Sequence, residues 1–408
     1  MKTKIALFIL ILSVSFLQSC VKPPIITPPD PPVIQAEDSA YVWRKAYYSD
    51  TSMLYTGQIL SLIDGNRLFY RRTNMADTAV FAMFDIETKQ DIWEWQDYYL
   101  DESILIEGYQ ISGDKVWVNS KNEQYCFETN TGSTLWKYKV PISEGDCGSA
   151  SSQFGDMLFQ VRYFGSVHHS YRSTLMMADI SDGIWKPVFT TKHDGNDDYE
   201  SNLLPPATYV DASGDTILIF QDRRYRDYEP RDYTDWYAYN LSTKTVVWKL
   251  GNISPEISNT SPAVIDEVNN RVYFVTRYTV YCHDLTSGDK IWKHTFDDRG
   301  VLGATFILHE DKLIGKSDQG YLMALDADTG SILYSVNQGG CCHSQMVRDN
   351  RIYYVDQDIW VSDVNTGQLT WRYNGYGGFS GFPVFDEEKD LMYVTGSYYL
   401  YAIEIPKY

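Results

Sequence analysis

Positive charge is scarce in this chain. Lys and Arg number 35 against 54 Asp and Glu, a formal net charge of −19. A surface of that sign repels phosphate backbones and anionic lipid heads, which argues against nucleic acid as a partner. Long apolar runs are scarce too: beyond the first 20 residues no segment is apolar enough to cross a membrane. Cysteine is limited to Cys20, Cys126, Cys147, Cys282, Cys341 and Cys342. The signatures of common chemistry are missing, with neither a nucleophile elbow nor a phosphate loop. His168, His169 and His193 match no strong metal-ligand spacing, and neighbouring histidines on a strand point apart. DGNDDYE at 194–200 starts like a calcium loop, but Tyr199 stands where glycine is required and no glutamate closes the loop. The expectation is no metal and no resident cofactor.

The one apolar run is at the start, MKTKIALFILILSVSFLQSC. Lys2 and Lys4 precede it, and it is too short and one-sided for a good membrane span, so residues 1–19 read as an export signal. Its end, Leu17-Gln18-Ser19-Cys20, resembles a bacterial lipobox, which implies lipidation of Cys20. Val21 follows, not the aspartate that retains many lipoproteins at the inner membrane, so the expected location is the cell envelope, anchored by lipid at the outer membrane. VKPPIITPPDPP comes next. Proline has no amide donor and a fixed φ, so residues 20–37 are expected to form a semi-rigid tether, with the folded domain over 38–408.

What fills the rest is repetition. FDIETKQDIW (84–93), FETNTGSTLW (127–136), YNLSTKTVVW (239–248), HDLTSGDKIW (283–292), LDADTGSILY (325–334) and SDVNTGQLTW (362–371) are copies of one phrase, and ADISDGIW (178–185) is a shortened copy. A period near forty means a solenoid or a propeller. In each copy alternating apolar residues lead in, as in RVYFV at 271–275, and read as strands with one face buried. The acidic or amide residue bonds the amides of a turn, and glycine permits positive φ at its corner. The aromatic then begins an outer strand and wedges against the neighbouring sheet. The wedges are Trp93, Trp136, Trp185, Trp248, Trp292, Tyr334 and Trp371. The eighth phrase, YAIEIPKY, stops before its aromatic, and Trp43 in AYVWRK supplies it. The N-terminal strand is therefore expected to complete the last of eight four-stranded antiparallel blades, closing an all-β propeller.

The phrase resembles the PQQ-like (quinoprotein-like) repeat with its tryptophan docking motif. Lipobox, short tether and eight such repeats together resemble the BamB family of outer-membrane assembly lipoproteins. That likeness implies a non-catalytic scaffold with an envelope protein as partner. GGCCHS at 339–344 points elsewhere. In quinoprotein dehydrogenases, which share the repeat, a disulfide between adjacent cysteines covers the cofactor PQQ, which would make Cys341 and Cys342 a vicinal disulfide. Those enzymes also need a calcium-binding carboxylate and amide, an aspartate base and a stacking tryptophan. The first strands, such as Ser149-Ala150-Ser151 and Ser380-Gly381, show no such set. PQQ-dependent oxidation is kept as an alternative.

Two insertions break the period around blade 4, HDGNDDYESNLLPP (193–206) and QDRRYRDYEPRDYTDW (221–236). The second interleaves Arg223, Arg224, Arg226 and Arg231 with Tyr225, Tyr228 and Tyr233. Tyr and Arg are favoured at interface hot spots, and loops carry function on rigid scaffolds. This is the candidate partner-binding loop. Its tyrosine faces also suit a glycan, which would make the chain a glycan-binding surface lipoprotein.

Overall fold

In a computed structural model the chain is described over residues 41–47, 56–73, 79–95, 97, 108–120, 122–141, 143, 145–164, 172–192, 200–225, 233–251, 262–276, 278–296, 306–317, 319–338, 345–396 and 398–406. No α-helix occurs among these residues. Antiparallel sheets follow one another along the chain and build an eight-bladed β-propeller. Blade 1 is typical, running Thr56–Ile63, Arg67–Thr73, Ala79–Asp85 and Gln90–Trp95 from inner to outer strand. Blades 7 and 8 share one six-stranded sheet. There Leu369–Asp386 first pairs with Arg351–Asp363 in blade 7, and then with Leu391–Gly396 in blade 8.

The ring closes through the N-terminal strand. Tyr41–Ala46 pairs with Tyr399–Glu404, with Trp43 opposite Ala402. The Trp43 ring packs against Phe84 of blade 1 at 5.7 Å. Lys45 Nζ lies 2.7 Å from Asp91, and the Tyr47 ring stacks on Tyr70. Side chains from both ends of the sequence therefore hold the junction of blades 8 and 1.

The turns follow from the repeated phrase. Asp326 Oδ1 accepts from the amide nitrogens of Asp328 and Thr329, and Asp363 Oδ1 from those of Asn365 and Thr366. Glycine at the corner has two reasons to be there. Gly330 has φ +71°, and a Cβ on it would stand 2.5 Å from the Trp292 ring. Lys89 and Lys244 hold that corner in blades 1 and 4 and take positive φ themselves, at the cost non-glycine residues bear there.

Second and third strands are buried on both faces, not on one as their alternation suggests. Arg271–Val275 is buried at every position but its first, and Glu123–Glu128 at every position but its last. A blade is covered by a neighbour on each side, so alternation separates two interfaces instead of core from solvent.

Candidate functional site

The two ends of the ring differ. At one end lie the short turns within each blade. They carry exposed carboxylates, among them Asp64, Glu310, Asp311, Asp349 and Glu387. At the other end lie the hairpins between second and third strands and the links between blades. Blades 3 and 4 rise above their neighbours at this loop end. The second strand of blade 4, Thr216–Tyr225, has 10 residues and that of blade 3, Met157–Phe164, has 8, against 5 in blade 5. At about 3.3 Å per residue the excess is roughly 10–16 Å.

Blade 4 builds its elevation with a divided inner strand. Glu200–Leu203 pairs with the upper part of Thr216–Tyr225, and Ala207–Val210 with the lower part. Pro205 and Pro206 lie between them and lack the amide that would continue the ladder. The base of the raised hairpin is ionic. Asp222 and Asp235 face each other in register, both buried. Arg224 Nη2 donates to Asp235 at 2.8 Å and its Nε lies 3.6 Å from Asp222, while Lys249 Nζ lies 2.9 Å from Asp235. Burial pulls Arg224 down, but the carboxylates of Asp235 and Asp222 outweigh it and hold the guanidinium above its usual pKa. Two acids and two bases offset one another here.

The candidate loop at 221–236 is thus partly strand. Arg223 and Arg224 sit in the second strand opposite Thr234 and Tyr233, and Tyr225 ends that strand opposite Glu200. Arg224 is occupied internally. Arg226, Tyr228 and Arg231 lie outside the described residues, as do His168, His169, His193, Asp194, Asn196 and Asp198. So do residues 1–40 with Cys20, and Cys341 with Cys342.

Blade 3 stands beside blade 4, joined by a hydrogen bond from the Tyr163 hydroxyl to the Leu203 carbonyl at 3.0 Å. On its face toward blade 2, Arg162 is buried, with the rings of Tyr138 and Trp185 each about 6 Å from its guanidinium. Higher up, the Arg172 guanidinium lies over the Phe164 ring, 3.5 Å from its centre. Below Arg162 the junction of blades 2 and 3 stays polar. Gln124 donates to Gln160 Oε1 and to Cys147 Sγ, and Asn119 donates to the Gly148 carbonyl at 3.1 Å. Asn119, Gln124 and Gln160 are fully buried. Burial pushes the Cys147 thiol up to about 11, and those of Cys126 and Cys282 up to about 12. Among the described residues no group of three or more His, Cys, Asp or Glu is set to hold a metal ion.

The docking aromatics share one register. Trp93 pairs with Met83, Trp136 with Cys126, Trp248 with Ala238, Trp292 with Cys282, Tyr334 with Ala324 and Trp371 with Val361. Trp93, Trp136, Trp248 and Trp292 donate their ring N–H to a turn carbonyl of the next blade, at Thr129, Ile180, Leu285 and Ala327. Trp185 lies between neighbouring sheets as well, but departs from the set in its register and in the blade it meets. Lys186, not Trp185, takes the equivalent place opposite Met177. A slip of one residue turns a side chain to the other face of a sheet. Trp185 accordingly packs back against Trp117 of blade 2, at 6.0 Å. Phe189 fills the junction with blade 4, 5.0 Å from Phe220 and 5.1 Å from Tyr237. The shortened copy at 178–185 was the available signal for this substitution.

Comparison with known proteins agrees with this architecture. Residues 276–393 match the family model described as outer membrane protein assembly factor BamB. Among curated proteins none matches the chain in sequence. Similar solved structures include the computationally designed protein Ika8, at 15% identity and TM-score 0.60, covering 85% of this chain and 96% of that one. BamB from Moraxella catarrhalis is 12% identical with TM-score 0.57, covering 88% of this chain and 100% of its own. The C-terminal WD40 domain of Sif2 is 13% identical with TM-score 0.58, covering 89% and 99%. At such identities the structures speak for the fold. The chain is an eight-bladed β-propeller that resembles BamB, in fold along most of its length and in sequence over residues 276–393.

Proposed function

We propose that this protein is a non-catalytic scaffold of the cell envelope, held at the outer membrane through Cys20, and that it binds a protein partner through the loop end of blades 3 and 4. The observation that carries this reading is the pair of raised hairpins. Their second strands exceed those of blades 5 and 6 by roughly 10–16 Å, at the end that also bears arginine and aromatic side chains. The likeness of residues 276–393 to BamB supports a place in outer-membrane protein assembly.

Photo-crosslinking in intact envelopes tests it. A crosslinkable residue at Arg223, in the blade 4 hairpin, should capture a discrete protein band. One at Val268, which is 92% exposed on the turn end, should not. Equal capture from both positions, or from neither, would refute binding through the loop end.

A further inference from the structure

We infer that His283 makes the junction between blades 4 and 5 acid-sensitive: on taking up a proton its imidazole leaves its place beneath the blade 5 turn, and the turn that receives Trp248 opens. The inference goes beyond the scaffold reading and does not depend on it.

In the repeated phrase the residue before the acidic or amide marker is Phe84, Phe127, Tyr239, Leu325 or Ser362 in other blades, and His283 in blade 5. His283 lies in Thr279–Asp284, opposite Val272 on one side and Lys290 on the other. It shares a sheet face with Val272, Phe274 and Tyr281, the face that packs on blade 4. The side chain is 5% exposed. Its Nδ1 lies 2.8 Å from the Gly288 carbonyl, which accepts the ring N–H. Its Nε2 is buried and has no hydrogen-bond partner. The rings of Phe274 and Tyr281 stand 5.4 Å and 6.3 Å away. The neutral tautomer protonated on Nδ1 fits this place. An imidazolium carries an N–H on both nitrogens, so the second would be buried unpaired together with the charge.

The turn held by His283 is the one on which blade 4 docks. Trp248 donates its ring N–H to the Leu285 carbonyl at 2.9 Å, and its ring covers Gly288 so closely that a Cβ there would stand 3.0 Å from it. Gly288 is thus gripped by Trp248 from blade 4 and by His283 from within blade 5.

The charged neighbours act in opposite directions. Asp289 in the turn favours the imidazolium and Lys290 on the outer strand opposes it. The second strand presents Val272 and Phe274, and blade 4 presents Trp236 and Trp248. Tyr209, in the same cluster, is pushed up by burial to about 12 and stays neutral. Burial therefore dominates, and it holds His283 below its usual pKa although the Gly288 hydrogen bond pulls the other way. In an opened chain the ring titrates near 6.5. The stability that this contact contributes is accordingly complete above about pH 6.5 and falls as the pH drops from there toward the folded value.

The test is hydrogen–deuterium exchange of the purified full chain, read by mass spectrometry and corrected for the intrinsic rate at each pH. The blade 6 turn at 326–331 is the control, since Trp292 docks on it in the same way and Leu325 holds the place of His283. Between about pH 7.5 and about pH 5, protection of 284–289 is expected to fall about fivefold further than protection of 326–331. His283→Phe, with the residue found at 84 and 127, should abolish that difference. So should His283→Gln, which keeps a donor for the Gly288 carbonyl. An identical response of the two turns in the wild type, or a wild-type response in the variants, would overturn the switch. NMR of the carbon-13-labelled histidine rings follows the proton itself, with His283→Gln identifying the signal. A midpoint below about 6.5 is expected, and one at or above it would overturn the inference without recourse to any variant's stability.

Discussion

The junction between blades 1 and 2 and the junction between blades 2 and 3 use the same strands of blade 2 in opposite ways. Lys115–Ser120 and Glu123–Glu128 turn Val116, Val118, Tyr125 and Phe127 toward blade 1. There they meet Phe69, Phe81, Trp93 and Trp95, and Phe127 stacks on Trp95 with ring centres 4.6 Å apart. The alternate residues face blade 3. Trp117 and Cys126 form an apolar base with Leu158 and Ile180, but Asn119 and Gln124 above them meet Gln160 and Gly148. One interface is thus held by aromatic burial through its height and the other is half apolar, half hydrogen-bonded. Asn119 Oδ1 and Gln124 Oε1 have no partner in that polar half. A satisfied polar network adds little net stability, and an unsatisfied buried acceptor costs about 1–3 kcal/mol. The polar junction is therefore expected to hold the ring less tightly than the aromatic one.

Three measurements sharpen that contrast. The largest effect belongs to Phe127→Ala, which removes a fully buried ring from contact with four others and should cost about 3–5 kcal/mol in urea unfolding. A loss below about 1 kcal/mol would mean that the aromatic junction is not the stronger one. An intermediate effect belongs to the glutamine pair. Gln160→Leu alone strands the Gln124 amide and should cost about 1–3 kcal/mol. The double variant Gln124→Leu/Gln160→Leu should recover most of it, because leucine pairs well with leucine where amides had to be matched. A double variant worse than the sum of the singles would show the polar network to be stabilising. The smallest effect is a rate. Cys126 and Cys147 lie at the two levels of the polar junction, with thiols pushed up to about 12 and about 11 by burial. At pH 8 both stay protonated, so iodoacetamide should leave both unmodified in the native protein and alkylate both in urea, read by mass spectrometry. Fast native labelling of Cys147 alone would show that water enters the polar half.

Much of the fold was legible in the repeats. The acidic or amide residue, the corner residue and the aromatic of each phrase specify a turn and a wedge within about ten residues, and short-range chemistry of that kind survives into any tertiary setting. Trp43 standing apart from its phrase gave the closure of the ring. The candidate site was less legible. Arg223 and Arg224 were visible as a cluster, but the internal pairing of Arg224 depends on Asp235, across the hairpin.

By itself, then, the sequence determined the repeat, the turns, the eightfold count and the strand that closes the ring, because each depends on residues a few positions apart or on a copy left incomplete. Only the tertiary structure decided which polar residues are buried. Asn119 and Gln124 alternate with apolar neighbours and read as solvent-facing, yet both are fully buried, because a blade has a neighbour on each side. It also decided the fate of Trp185. Two residues missing from one phrase shifted the register by one, and a period of two in side-chain direction converts such a shift into a change of interface.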